Sequence, residues 1–149
     1  MSESHPGACP ELSGPGLTGQ CQCGEVKYQC GPPLFAPTLC HCESCRRTSG
    51  AHALGWITVD ANSLRYASVN PREFASSAGV IRTFCGTCGT PLTYQNAERP
   101  LEVDLTIGCV DQAGRLEPID HIWMEDALPW DRPDAKPLTQ HARARRGAP

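Results

Sequence analysis

At 149 residues, with a formal net charge of −3 and a pI near 5.9, the chain has the length of one ordinary domain and lacks the basic excess by which proteins grip nucleic acid. No run of about 18 apolar residues occurs, so no segment is expected to span a membrane. The opening Met1-Ser2-Glu3-Ser4-His5-Pro6 has neither the basic start nor the apolar core of a secretory signal, which predicts a cytoplasmic, reducing location.

In such a compartment the ten cysteines read as metal ligands, reactive thiols or buried thiols, and Cys-x-Cys neighbours are also poor disulfide partners. With 40% hydrophobic residues, 6% aromatic, 14 Gly and 14 Pro, turns are frequent and long helices few, so metal staples would help the chain fold.

Residues 1–16 read as a flexible leader, with Cys9 an exposed thiol of no consequence. After Gly19-Gln20-Cys21-Gln22-Cys23-Gly24, the alternation of Val26, Tyr28 and Cys30 predicts a half-buried strand that Gly31-Pro32-Pro33 ends. Leu34 to Leu39 lead into Cys40-His41-Cys42-Glu43-Ser44-Cys45. An extended Cys40-His41-Cys42 sends both thiols to one side and His41 to the other, and Cys45 returns on a turn or short helix starting near Glu43 and closed by Ser49-Gly50.

His52 to Val59 reads as a strand buried on both faces, and Asp60-Ala61-Asn62-Ser63 as a turn. A further strand is expected over Leu64 to Val69, broken by Asn70-Pro71, whereas Arg72 to Ser77 carries no clear pattern. Val80-Ile81-Arg82-Thr83-Phe84 predicts a strand running into Cys85-Gly86-Thr87-Cys88-Gly89-Thr90, and Pro91 to Tyr94 a strand leaving it. Leu101, Val103, Leu105 and Ile107 alternate with polar residues as one buried strand face.

Gly108 to Pro118 is a loop holding Cys109, and Ile119 to Met124 a last strand that places His121 in the core. There it would bond a backbone carbonyl, with proton transfer or substrate contact as its functional roles. Trp56, Trp123 and Trp130 are expected to pack in the core or at its edges. Residues 131–149, Pro-rich and then basic, read as a disordered tail.

Two short chelating loops, Cys21-x-Cys23 and a distant Cys85-x-x-Cys88, are a strong zinc signal, able to clamp one ion with sulfur about 2.3 Å away, although spacing alone leaves open which distant cysteines share which ion. The flanking glycines permit positive φ, which turns backbone N–H groups toward the thiolates. Such a site would supply folding free energy, on the order of 10 kcal/mol in small zinc modules.

Cys40, Cys42 and Cys45 offer three donors, and the fourth position could fall to water, a substrate thiol, His41, His52 or a remote residue. Alternation points His41 away, which favours an open corner. There a bound thiol would be deprotonated and, near pH 7, could attack an aldehyde carbonyl or, in reverse, expel one from a hemithioacetal. Arg46 and Arg47, beside the cluster, could hold carboxylates of a small peptide thiol or simply offset the cluster charge.

The stretches Gly19 to Tyr28, Cys40-His41-Cys42-Glu43-Ser44-Cys45-Arg46-Arg47-Thr48-Ser49-Gly50-Ala51, Phe84 to Leu92, and His121-Ile122-Trp123 with Pro129-Trp130 resemble the glutathione-dependent formaldehyde-activating enzyme family, which includes the centromere protein V domain. The resemblance spans 17–130 and implies a mostly β, Mss4-like zinc-binding fold of antiparallel sheets with short helical turns. It pairs Cys21, Cys23, Cys85 and Cys88 on a structural zinc and gives Cys40, Cys42 and Cys45 the catalytic zinc, two ions per chain. Arg46, Arg47 and His121 are then the expected substrate contacts. The activity it implies is a carbon–sulfur lyase or synthase reaction on an adduct of glutathione, or a similar small thiol, with formaldehyde or a similar aldehyde. Non-catalytic carriage of a thiol, or an interaction module, is the alternative. His52 follows Ser49-Gly50-Ala51 where the family commonly has proline.

Overall fold

Short runs of alternating residues broken by Gly, Pro and Asn make strands of two to seven residues rather than helices, and the computed structural model, which describes residues 14–135, 137 and 138, is mostly β. The expected leader and tail lie largely outside these residues, as does Cys9. In chain order the strands are β1 (Leu17–Gln20), β2 (Lys27–Cys30), β3 (Thr38–Cys40), β4 (Leu54–Asp60), β5 (Arg65–Tyr66), β6 (Arg72–Ser77), β7 (Val80–Phe84), β8 (Pro91–Asn96), β9 (Glu102–Thr106) and β10 (Asp120–Ile122). One α-helix, α1 (Glu43–Ser49), follows β3, and the remaining helical pieces are single 3-10 turns.

Two sheets result. β1, β2 and β5 form a small antiparallel sheet, and the other seven strands form a larger one in the order β10-β3-β4-β9-β8-β7-β6. All pairings in the larger sheet are antiparallel except β10 with β3, which run parallel with His121 opposite Leu39.

The register explains which residues face the core. Ile57 pairs with Leu105 and Val59 with Val103 across β4 and β9, and with Tyr28, Cys30, Val26 and Leu92 they form the main cluster between the sheets. Ile57 and Leu105 are fully buried, each worth roughly 1.5–3 kcal/mol of transfer free energy. Gly19 permits the close approach of β1 to β2, since a Cβ there would lie 2.3 Å from the Tyr28 ring.

Several expectations are corrected. Leu101 is exposed and Ile107 turns into a 3-10 helix, so of their alternating set Val103 and Leu105 are buried in the core while Ile107, half-buried, packs against it. The strand expected over Leu64–Val69 shrinks to Arg65–Tyr66, and Arg72–Ser77, patternless in sequence, is the edge strand β6 with Phe74 exposed. An edge strand covered on neither face needs no alternation, which is why it left no signal. β10 is exposed along its length, so His121 is not a core histidine, and Trp123 and Trp130 are exposed while Trp56 is buried.

Candidate metal centres and the adjoining cleft

The loop after β1 and the loop after β7 bring four thiols together. Cys21, Cys23, Cys85 and Cys88 have their sulfurs mutually within 4.8 Å, with Cys21 to Cys23 at 3.5 Å and Cys23 to Cys85 at 3.8 Å. A tetrahedron with sulfur 2.3 Å from its centre has edges of about 3.8 Å, so this donor set fits one zinc-sized ion.

Gly24 and Gly89 sit at φ 77° and close the two loops onto Cys21 and Cys85 through backbone hydrogen bonds. The Val26 amide donates to Cys21 Sγ at 3.3 Å and the Cys88 amide to Cys85 Sγ at 3.5 Å, which spreads thiolate charge into the backbone. As a free thiol Cys88 is pushed down to about 5, first by the Thr90 hydroxyl. The Gln22 amide donates to that same hydroxyl at 3.1 Å and so links the loops.

The second cluster forms where β3 ends and α1 begins. Cys40 closes the strand, Cys42 caps the helix by accepting the Cys45 amide on its sulfur at 3.3 Å, and Cys45 lies one turn inside. Their sulfurs also lie mutually within 4.8 Å, and among the described residues no fourth Cys, His, Asp or Glu atom joins the group. Cys40 and Cys45 are buried and Cys42 is half-buried. As free thiols they share charge unequally: the hydrogen bond between Cys40 and Cys45 pushes Cys45 down to about 5 and Cys40 upward.

His41 is buried on the far side of β3, as period-two alternation requires. Its Nε2 lies 2.9 Å from His121 Nδ1, and its Nδ1 lies 3.5 Å from Asp131 Oδ2. The same carboxylate oxygen meets His52 Nδ1 at 2.5 Å. Neither His41 nor His52 belongs to the thiol group; His41 ties the 120–131 segment to the end of β3, and His52 ties it to the loop between α1 and β4. A backbone bond from the His41 amide to the Ile122 carbonyl, 3.0 Å, adds to this anchor.

The thiol side opens into a cleft of about 530 Å³ whose lining includes Cys40, Cys42, Cys45, Trp56, Arg82 and Tyr94, with Ile122 and Trp123 forming another wall. Strand register builds this face: Arg82 stands opposite Tyr94, Tyr94 opposite Asp104, and Asp104 opposite Thr58, two residues from Trp56. Arg46 and Arg47 line a separate depression of about 380 Å³ with His52 and Trp130, and Arg47 pairs with Glu43 at 2.7 Å. His121 faces His41 instead of the cleft lining.

The structure therefore gathers the expected thiols and leaves the expected arginines and His121 elsewhere. Sequence reasoning passed over Arg82, Tyr94 and Trp123. The available signal was a charged residue inside the apolar strand Val80–Phe84, legible as a site residue only once its cross-strand partners are known.

A profile of the glutathione-dependent formaldehyde-activating enzyme family matches residues 16–126. No curated protein matches significantly. A crystal structure of a Rhodobacter sphaeroides protein superposes with a TM-score of 0.58 at 23% identity, covering 70% of this chain and 98% of that one, which shows a shared fold. With the matched span holding both cysteine clusters and all ten strands, the chain belongs to the glutathione-dependent formaldehyde-activating enzyme family.

Proposed function

We propose that the protein is a zinc-dependent carbon–sulfur lyase or synthase acting on the adduct of a small, glutathione-like thiol with a formaldehyde-like aldehyde. In this reading Cys21, Cys23, Cys85 and Cys88 would hold a structural zinc, and Cys40, Cys42 and Cys45 would hold a second that could accept the substrate thiol. The observation that carries it is a three-thiol donor set, without a fourth protein donor among the described residues, facing a cleft of about 530 Å³.

Zinc bound there supplies one thing, a substrate thiol kept as thiolate near neutral pH. In the forward sense the substrate's sulfur attacks the aldehyde carbon, the S–C bond forms as the carbonyl π pair moves onto oxygen, and that oxygen takes up the proton the thiol released, so that S–H adds across C=O overall. The reverse sense breaks the S–C bond and returns the aldehyde.

The chain's own contribution is positioning. β3 and α1 fix the three thiols, Trp56 and Tyr94 give an apolar floor that limits water, and Ile122 and Trp123 confine the non-reacting part of the thiol. Formaldehyde needs only a small part of this volume, which leaves most of the cleft for the thiol.

Exchange NMR of formaldehyde, glutathione and their adduct tests the proposal. The protein should accelerate exchange, and Cys42→Ala with unchanged circular dichroism should abolish the acceleration. An unchanged exchange rate with the wild-type, two-metal protein refutes catalysis on that pair. A second reading, a thiol carrier, draws on the position of His41 and His121, neither of which lines the cleft as a proton donor. It predicts thiol binding without turnover.

A further inference from the structure

Arg82, in the middle of β7, is only 7% exposed. A guanidinium does not shed its proton, so a charge is buried here and requires an answering group. Among the described residues no carboxylate pairs with it, and its Nη1 is enclosed without a hydrogen-bond partner. Its Nη2 lies 3.8 Å from Cys45 Sγ. The guanidinium carbon stands 4.9 Å from the centroid of the Tyr94 ring and 6.0 Å from that of Trp56, so aromatic faces hold the group in place. The anion this geometry supplies is the three-thiol cluster, which carries a net charge of about −1 with a divalent ion bound by three thiolates.

We propose that Arg82 is a positioning residue of the three-thiol site, which draws electron density from Cys45 and makes it the anchored, least nucleophilic sulfur of the three. Two consequences follow from that charge-assisted N–H···S contact. Electrophiles meet Cys42 first, since it is the more exposed sulfur and has no such cation beside it. A cluster with a partly neutralised thiolate also donates less to its metal and leaves that metal a stronger acid toward a fourth ligand. The inference rests on metal binding at this cluster under the proposed function, and it does not require turnover.

The test uses the full zinc-loaded chain and two variants, Arg82→Met and Arg82→Lys. Metal content is measured in every sample. Limited iodoacetamide is added, so that a sulfur–carbon bond forms as iodide leaves, and modified cysteines are mapped by peptide mass spectrometry. Wild type should be modified at Cys42 before Cys45. Arg82→Met should raise the Cys45 rate relative to Cys42 at least about tenfold, the rate equivalent of one lost charged hydrogen bond. Arg82→Lys, which keeps the charge but loses the planar group seated on Tyr94 and Trp56, should fall between wild type and Arg82→Met.

Cobalt-substituted protein gives a second readout. The thiolate-to-cobalt charge-transfer band should move to lower energy in Arg82→Met, because the sulfur pair is no longer held by a cation. A merely structural Arg82 would leave that band and the Cys45 to Cys42 ratio unchanged while lowering stability, and this result overturns the proposal. If Arg82→Met does not fold, modification of Cys45 ahead of Cys42 in wild type overturns it equally. Failure of the exchange assay with these signatures intact would refute the lyase reading alone.

Discussion

Asp131→Ala removes the carboxylate to which His41 and His52 both turn. The exposed pair with His52, whose side chain is 55% accessible, is worth a few tenths to about 1 kcal/mol. The His41 side is a longer contact, 3.5 Å, but His41 is 1% exposed and its Nδ1 has no other partner, so losing the carboxylate leaves a desolvated polar group at a cost of about 1–2 kcal/mol. Together these predict a loss of about 1.5–3 kcal/mol, or roughly 3–10 °C in Tm for a domain of this size. Differential scanning calorimetry at fixed zinc reads the shift. Hydrogen exchange should quicken across 119–131, including the Ile119 amide that donates to the Pro37 carbonyl at 3.0 Å. A Tm within about 1 °C of wild type, with unaltered exchange in that segment, would refute the view that buried His41 and the Asp131 carboxylate anchor the cleft wall.

Stripping metal from the four-thiol site should unfold the chain, since about 10 kcal/mol of binding free energy is comparable with the whole stability of a domain; far-UV circular dichroism during chelator titration reads this. The double variant Arg46→Ala, Arg47→Ala should leave thiol binding within about twofold of wild type by isothermal titration, because both side chains line the depression beside His52 and Trp130. Burial pushes the Cys30 and Cys109 thiols up, so iodoacetamide at pH 8 should leave both untouched in the folded protein and modify them in guanidinium. Rapid labelling of Cys30 without denaturant would contradict its place between the sheets.

Local chemistry made the thiol loops legible in the sequence. Glycines after Cys23 and Cys88, the extended Cys40-His41-Cys42 and the turn-closing Gly50 each impose a backbone conformation within a few residues, and the structure shows those conformations. What alternation could not carry is pairing between distant strands. Arg82 reads as an ordinary polar residue until β8 sets Tyr94 opposite it, and His121 reads as buried until β10 proves to be an exposed edge. Adjacency in sequence also misleads: Arg46 and Arg47 follow Cys45 directly, yet the helix carries them round to another depression while the cleft faces the thiols.

The proposed function requires two metal-binding clusters of unequal coordination. Metal analysis of the purified full chain, repeated on Cys42→Ala and Cys88→Ala, tests this most directly. Two zinc ions per chain are expected in wild type, with one ion and a folded chain in Cys42→Ala, and loss of fold in Cys88→Ala. A single zinc in wild type that survives Cys42→Ala would contradict it.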